Sequence, residues 1–168
     1  MKPIIIAIDG RCASGKTTLA KAISEQIDCN VIHMDDFFLR PEQRTANRLA
    51  TPGENIDHER FLEEVLIPLS KGLPVTYHPF DCHKMGFDEE ILLTPKKINI
   101  VEGSYSCHPS LRDYYAYTFF LTISLEEQMK RIIDREGVEK AKIFKEKWIP
   151  LEEEYFKTLE VTEWIKLG

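Results

Sequence analysis

The segment Gly10–Thr17 reads Gly-Arg-Cys-Ala-Ser-Gly-Lys-Thr, which fits the G-x-x-x-x-G-K-[ST] pattern of a phosphate-binding loop. It follows the apolar run Ile4–Ile8 and precedes apolar residues at helical spacing up to Ile27. A strand, a glycine-containing loop and a helix in this order direct backbone N–H groups and the helix N-terminus at one anion. The sequence therefore predicts a strand–loop–helix unit that binds a nucleoside triphosphate.

Each part of this loop has an expected role. Gly10 and Gly15 stand where the chain turns or approaches a ligand closely, which residues without a Cβ allow. Lys16 is expected to reach the β- and γ-phosphates, and Thr17 to place its hydroxyl on Mg²⁺. The alternative, a glycine-rich turn with an incidental lysine, is disfavoured by the strand–loop–helix context. The expected ATP-binding segment includes two residues assigned to local hydrogen bonds, Ser14 and Thr18, and consists of Gly10, Ala13, Ser14, Gly15, Lys16, Thr17 and Thr18.

The remaining chain alternates between strand and helix patterns, which predicts an α/β fold with a parallel sheet covered by helices on both faces. At 168 residues we expect one domain, spanning residues 1–168. The predicted strands are Ile4–Ile8, Asn30–His33, Val75–Tyr77, Ile98–Val101 and Tyr117–Ile123; the predicted helices are Lys16–Ile27, His58–Leu69 with Asp57 as N-cap, Leu125–Arg135 with a Ser124/Glu127 capping box, Glu139–Lys147, and a helix restarted by Pro150. Residues 40–55 and 78–88 are expected to be loops.

Charge and hydropathy exclude several classes of function. The net charge is −6, and the lysines of residues 140–147 are flanked by acids, so a nucleic-acid partner is not expected. No apolar stretch approaches the roughly 20 residues that cross a bilayer, and the N-terminal apolar run lacks a small-residue cleavage site. We therefore expect a cytoplasmic protein with no membrane partner; a homo-oligomer is left open.

The four cysteines are expected to be free thiols, because none forms a C-x-x-C pair and the expected compartment is reducing. The pairs Cys82-His83 and Cys107-His108 could be read as a zinc site. Adjacent ligand pairs are not the usual zinc spacing, so this interpretation is disfavoured.

Polar groups follow four of the predicted strands: Asp9-Gly10, Asp35-Asp36, Glu102-Gly103 and Ser124. In open α/β sheets ligands bind beyond the carboxyl ends of the strands, so these groups should converge on one crevice. Phosphoryl transfer to a hydroxyl needs a carboxylate near the acceptor. We expect either Asp35 or Asp36, but not both, to be that base, the alternative being a solvated turn or an Asx cap. For Glu102 the alternative is a hydrogen bond from the strand end to the loop.

Several segments together resemble the uridine kinase family, which is grouped with nicotinamide riboside kinases and phosphoribulokinases. These segments occur in family order and cover about residues 3–160: Gly10–Thr17, Met34–Phe38, Asn55–His58, Pro79–Asp81 with His83, and Ile100–Gly103. The resemblance implies a P-loop kinase that uses ATP and Mg²⁺ to phosphorylate the 5′-hydroxyl of a nucleoside. It also implies a substrate-binding segment at about residues 36–90 and a lid at about residues 136–148.

The resemblance also assigns roles by position. Asp35 matches the carboxylate that activates the ribose 5′-hydroxyl, Asp57 the aspartate that holds ribose hydroxyls, and Glu102 the glutamate near the metal and acceptor. Phe80 and His83 match an aromatic residue and a histidine that contact the base. Arg131 matches an arginine on the phosphate side, and Arg135 joins it in offsetting charge. The implied catalytic set is thus Lys16, Asp35, Glu102 and Arg131, with Thr17 and Glu102 at the metal and Asp35, Asp57, Phe80, His83, Arg131 and Arg135 at the substrate.

The sequence departs from the family pattern in the lid and at the C-terminus. The segment Arg135–Lys140 lacks the later arginines of the family's lid, so Lys140 or Lys142 would have to substitute for them. Residues 163–168 do not match the family's last strand. Two alternatives to a nucleoside kinase stay open: a kinase for nicotinamide riboside, a pantothenate-type alcohol or a sugar phosphate, and an ATP-binding regulatory module with no acceptor.

Overall fold

A computed structural model describes residues 2–163, and it confirms the α/β fold class. Four parallel strands form the central sheet in the order β2-β7-β1-β8. Their bounds are Ile4–Gly10 for β1, Cys29–His33 for β2, Ile98–Glu102 for β7 and Tyr117–Leu121 for β8. Parallel strands have their carboxyl ends at the same edge of the sheet. Strand β1, which leads into the P-loop, and strand β2, which ends at His33, therefore end at one edge.

The helices are α1 (Lys16–Ser24), α2 (Ala46–Ala50), α3 (His58–Phe61), α4 (Ile67–Ser70), α5 (Leu125–Glu136), α6 (Val138–Ile143) and α7 (Ile149–Thr158). Successive strand residues point to opposite faces of the sheet. Each face is buried because it packs in a hydrophobic core of its own. On one face Ile5 and Ala7 pack in a large core with Phe61 and Tyr155. On the other face Ile8 packs in a smaller core that includes residues 20, 29 and 100.

Short elements occur in both segments that were predicted to be loops. Residues 40–55 contain α2, whose first turn is capped by the Thr45 hydroxyl accepting from Arg48 N. Residues 78–88 contain the two-residue strands β4 (Phe80–Asp81) and β5 (Gly86–Phe87), which pair with each other. A second small ladder joins β3 (Val75–Tyr77) to β6 (Ile91–Leu93). The sequence predicted β3 with these bounds but missed β4, β5 and β6, because strands this short have too few residues to show a period of two.

The predicted ends of α1 and β8 were wrong by a few residues, and the predicted capping box of α5 is not formed. Helix α1 ends at Ser24 rather than Ile27, because Gln26 N turns back to Ile23 O at 3.0 Å. Strand β8 ends at Leu121, two residues early. Ser124 caps α5 by accepting from Glu127 N, as expected, but the Glu127 carboxylate pairs with Arg131 instead of completing a capping box.

The prediction that Pro150 restarts a helix was wrong, because helical backbone runs without a break from α6 through Pro150 into α7. The turn before it, Phe144–Trp148, is π-helical, and a second π-helical turn, Leu62–Leu66, stands before Pro68. A proline has no N–H to donate to the preceding turn. A wider i→i+5 turn just before each proline accommodates that missing donor, so both helices continue.

Within residues 2–163 the structure has no helix both long enough and apolar enough to cross a membrane. The prediction about the C-terminal strand concerns residues 163–168, of which 164–168 lie outside the described residues.

Candidate active site

The phosphate-binding loop connects β1 to α1 in the predicted way. Its backbone takes positive φ at Gly10 (139°), Ala13 (61°) and Gly15 (96°). Helix α1 begins at Lys16 with no side-chain cap, so no side chain occupies the N–H groups of its first turn. Lys16 is buried, and its ammonium donates to Gly10 O at 2.8 Å and Arg11 O at 2.9 Å. The loop thus wraps around its own lysine and presents donors of the kind that bind phosphate.

Glu102, at the end of β7, joins the P-loop to β2. Its Oε1 accepts from the Thr17 hydroxyl at 3.1 Å and lies 2.5 Å from His33 Nδ1. The hydrogen bond to Glu102 raises the pKa of His33, while burial of the ring opposes that rise. The alternative interpretation of Glu102, a strand-end hydrogen bond to the loop, is therefore observed. The same two groups, a hydroxyl and a carboxylate, are oxygen ligands of the kind that Mg²⁺ prefers.

Asp35 and Asp36 have different surroundings, as expected for adjacent carboxylates. Asp36 Oδ2 accepts from the Tyr77 hydroxyl at 3.1 Å. Asp35 is raised in pKa chiefly by burial and further by the charge of Glu102, whereas Lys16 and His33 lower it. The charge of Glu102 raises the pKa of both carboxylates, whereas the charge of Lys16 lowers that of Asp35, so Asp35 is the carboxylate that faces the field of the P-loop lysine.

Asp57 is buried beside the turn that carries these two carboxylates. Its N–H donates to Phe37 O at 2.8 Å, and its Oδ1 caps α3 by accepting from Arg60 N at 3.2 Å. Its Oδ2 lies 3.5 Å from Arg40 Nε without a hydrogen bond. The neighbouring Asn55 is also buried, and neither of its side-chain polar atoms has a partner among the described residues. Two buried groups without full partners thus lie in the predicted substrate segment, of which the sequence pattern indicated only Asp57.

The predicted base-contacting residues lie on the β4–β5 hairpin. Phe80 is buried and packs edge-to-face on Phe87, with ring centroids 5.4 Å apart. His83 is exposed at the turn, where its N–H donates to Asp81 Oδ1 at 2.6 Å. Phe80 thus has a packing role in this structure, whereas the exposed His83 contacts Asp81 through its backbone N–H and not through its ring.

Both predicted arginines of α5 reach the outer side of the P-loop. Arg131 Nη1 donates to Ala13 O at 3.1 Å, and Arg135 Nη2 lies 3.8 Å from Cys12 Sγ. About half of each side chain is exposed. The lid lysines are paired with acids of their own segment instead: Lys140 with Glu136 at 3.7 Å and Lys142 with Glu139 at 3.3 Å.

Two buried carboxylates, Asp9 and Glu152, hold the loop in place, and the sequence did not predict this role for either of them. Asp9, expected in the crevice, lies instead in the interior, where it accepts from Gly10 N (2.7 Å), Cys107 N (2.9 Å) and the Tyr155 hydroxyl (2.7 Å).

Glu152 of α7 accepts from Cys12 N at 3.0 Å and from the Ser104 hydroxyl at 2.8 Å. Next to it, Glu153 forms a two-point ion pair with Arg11, with distances of 2.6 and 3.0 Å. Burial raises the pKa of Glu152. Helix α7 therefore fixes the first half of the P-loop. The sequence indicated only that these glutamates begin a helix, because the contact spans about 140 residues of chain.

The chain is similar in sequence to known kinases. No family model matches the chain. A uridine kinase of Shewanella piezotolerans is 30% identical over 155 residues, covering 83% of this chain and 71% of that protein. Human nicotinamide riboside kinase 1 is 30% identical over 134 residues, covering 78% of this chain and 64% of that protein.

Two solved structures have the same fold. One, described as a possible uridine kinase from Bacillus stearothermophilus, has a TM-score of 0.69 at 21% identity over 97% of this chain and 86% of that one. The other is a D-glycerate 3-kinase from Cryptococcus neoformans, with a TM-score of 0.65 at 16% identity over 90% of this chain and 78% of that one. At these identities the superpositions show the shared fold alone.

The chain has an α/β fold of the P-loop type, with a parallel sheet whose first strand leads into a phosphate-binding loop, and the two solved structures share this fold. Its relatives make it a phosphotransferase with an alcohol acceptor. The similarity to the S. piezotolerans protein narrows this class, and the chain belongs to the uridine kinase family.

Proposed function

We propose that this protein transfers the γ-phosphoryl group of ATP to the 5′-hydroxyl of a nucleoside-like small molecule. The observation that carries the proposal is the Asp35 carboxylate, which feels the charges of Lys16 and Glu102 at the edge where β1, β2 and β7 end. Residues 1–168 act as one kinase domain in this proposal, with the acceptor bound by residues 36–90 and a lid at 136–148.

The donor half of the proposed site consists of Gly10, Ala13, Ser14, Gly15, Lys16, Thr17 and Thr18. The fit to a triphosphate rests on three features: the uncapped first turn of α1, the Lys16 ammonium bound only to loop carbonyls, and the buried Ser14 hydroxyl without a partner among the described residues. Thr17 and Glu102 would hold Mg²⁺. When bound, this ion would neutralise charge on the phosphates.

The acceptor half is proposed from Asp35, Asp57, Phe80 and His83. Asp35 accepts the proton of the attacking hydroxyl; its raised pKa makes it a stronger base than an aspartate with the ordinary pKa. Asp57 has an oxygen free to accept from ribose hydroxyls. His83 contributes an exposed ring for polar contact with the base, and the buried Phe80 forms the floor beneath it.

Arg131 and Arg135 are proposed to stabilise the charge that develops on the transferring group. Both already contact the loop at residues 12 and 13, so a short side-chain movement brings either guanidinium to the phosphates.

An acceptor screen tests the proposal. Purified protein, ATP and Mg²⁺ are incubated with uridine, cytidine, nicotinamide riboside, pantothenate or a sugar phosphate, and ADP release is followed by a coupled assay. We expect uridine or cytidine to stimulate ADP release most. Tight ATP binding with no stimulation by any acceptor would contradict the proposal and favour a regulatory ATP-binding module.

Nicotinamide riboside is the second candidate acceptor. It carries the same ribose 5′-hydroxyl, and human nicotinamide riboside kinase 1 matches the chain at 30% identity. Stimulation by nicotinamide riboside above both pyrimidine nucleosides would replace the first candidate by this one.

A further inference from the structure

A second cluster of ionisable side chains consists of Glu54, His58 and His108. Glu54 precedes α3, His58 is its first residue, and His108 lies in the loop after β7. One potential ligand atom from each of the three lies within 4.8 Å of the others. The two imidazole rings stack, with centroids 3.9 Å apart and planes inclined by 13°.

Both histidine rings of the cluster face Glu54 with the same ring nitrogen, Nε2. His58 Nε2 lies 3.1 Å from Glu54 Oε2, and His108 Nε2 lies 3.3 Å from Glu54 Oε1. On the opposite side of the rings, the Ser110 hydroxyl lies 2.8 Å from His108 Nδ1 and 3.3 Å from His58 Nδ1. Each ring therefore presents Nε2 to one carboxylate and Nδ1 to one hydroxyl.

We propose that Glu54, His58 and His108 bind one Zn²⁺ ion. Two imidazoles and one carboxylate, with a fourth position left to water, are a known zinc ligand set. Ligands about 2.0–2.1 Å from a tetrahedral ion lie about 3.3 Å from one another. The two nitrogen–oxygen separations already match that spacing, and one imidazole must turn out of the parallel stack about its χ2 bond to direct both lone pairs at one ion.

The surroundings of His108 favour a neutral imidazole. His108 is almost fully buried, and burial together with the neighbouring His58 lowers its pKa to about 4, so its ring is neutral at pH 7. The nearest cation, Arg48, lies 3.8 Å from Glu54 but forms a two-point pair with Glu59 at 2.9 and 2.7 Å. Ser110 holds the ring nitrogens remote from the ion, which is the usual second layer of a histidine metal site.

The ion would connect the substrate segment to the loop after β7. Glu54 and His58 flank Asp57, the proposed ribose-binding residue, whereas His108 follows the other strand. Zinc would therefore restrict the movement of Asp57. This consequence for acceptor binding rests on the proposed function; the zinc site itself rests only on the cluster.

The test is a calorimetric titration of metal-free protein with Zn²⁺, carried out with excess Mg²⁺ to occupy the oxygen ligands near Thr17. Titration with Co²⁺ adds an absorption spectrum that reports tetrahedral nitrogen and oxygen ligands. We expect one equivalent of Zn²⁺ to bind the wild type, and His58→Gln and His108→Gln to weaken binding about 100-fold or more. His78→Gln is the matched control. His78, like His58, has its Nε2 near a glutamate, 3.6 Å from Glu90, but it is exposed and lies outside the cluster.

Circular dichroism of the metal-free variants separates loss of a ligand from loss of the fold. If His108→Gln unfolds, Glu54→Gln supplies a second test, because Glu54 is less buried than His108. Wild-type protein that binds no Zn²⁺ would overturn the inference. So would His108→Gln and Glu54→Gln proteins that bind Zn²⁺ as tightly as wild type, since the ion would then occupy another site such as His33 and Glu102. Because none of these readouts uses an acceptor, a failed acceptor screen leaves the zinc result intact.

Discussion

Replacing Gly10 by alanine should disrupt the fold far more than a glycine replacement in the lid. A Cβ on Gly10 would lie 2.0 Å from Leu121 O and 2.7 Å from Leu121 N, both backbone atoms of β8. Ordinary contact begins near 3.4 Å, so the two strand ends would have to separate by about 1.4 Å. That movement breaks the hydrogen bond from Arg11 N to Leu121 O, now 3.0 Å long.

Gly137 is the matched control. Its φ of 86° is also positive, but a Cβ there would meet no atom within 4 Å. Gly137→Ala therefore carries only the backbone strain, about 1–3 kcal/mol. Gly10→Ala adds a backbone overlap that no side-chain movement relieves, which brings its expected cost to at least about 4 kcal/mol.

Urea unfolding followed by circular dichroism measures both variants. We expect Gly10→Ala to lose at least about 4 kcal/mol of unfolding free energy, or to fail to fold, and Gly137→Ala to lose at most about 3 kcal/mol. The same samples should show weakened ATP binding only for Gly10→Ala. Equal stability of the two variants would refute the argument that the start of the P-loop lies in backbone contact with β8.

Three further variants test other parts of the account. Burial opposes ionisation of Glu59, but the hydrogen bonds from Arg48, a backbone hydrogen bond and the charges of His58 and Arg48 together outweigh it and lower the pKa of Glu59 to about 2. The pair with Arg48 therefore stabilises the fold above about pH 4.5 and less as the pH falls towards 2. Because half of Glu59 is exposed, Glu59→Gln should cost less than about 1 kcal/mol in urea unfolding at pH 7 and nothing near pH 2; a loss independent of pH would contradict this. Lys16→Met should weaken ATP binding about 30-fold or more in calorimetry, since charged hydrogen bonds to phosphate disappear; unchanged affinity would remove Lys16 from the donor site. Arg131→Lys should slow single-turnover transfer as much as Arg131→Ala, because a lysine does not reproduce the guanidinium fork; full rescue would show that charge alone suffices.

The local part of this architecture could be predicted from the sequence. The P-loop, the sheet strands and the N-caps at Asp57 and Ser124 follow from short patterns of glycine, apolar and capping residues, and the structure confirms them. The two π-helical turns before Pro68 and Pro150 could not be predicted, because a proline in a helical pattern more often marks a helix start or end.

Contacts between distant segments could not be predicted either. Glu152 reaches Cys12, and His58 stacks on His108, only because the sheet order brings β1, β7 and α7 together. Pattern reasoning therefore found Asp35 and Glu102, which follow strands, but assigned Asp9 to the crevice, although it lies in the interior. Adjacent Cys-His pairs drew attention to His108, whereas its actual partners are 54 and 50 residues away.

The central claim is that Asp35 serves as the base for a hydroxyl acceptor bound beside the P-loop. Its most direct test compares acceptor-stimulated ADP release by wild type and Asp35→Asn, with ATP affinity measured on the same samples. Loss of a positioned general base lowers transfer about 10²–10⁴-fold, whereas ATP binding should stay near the wild-type value because Asp35 makes no hydrogen bond to the loop among those described. Turnover of Asp35→Asn equal to wild type would contradict the account.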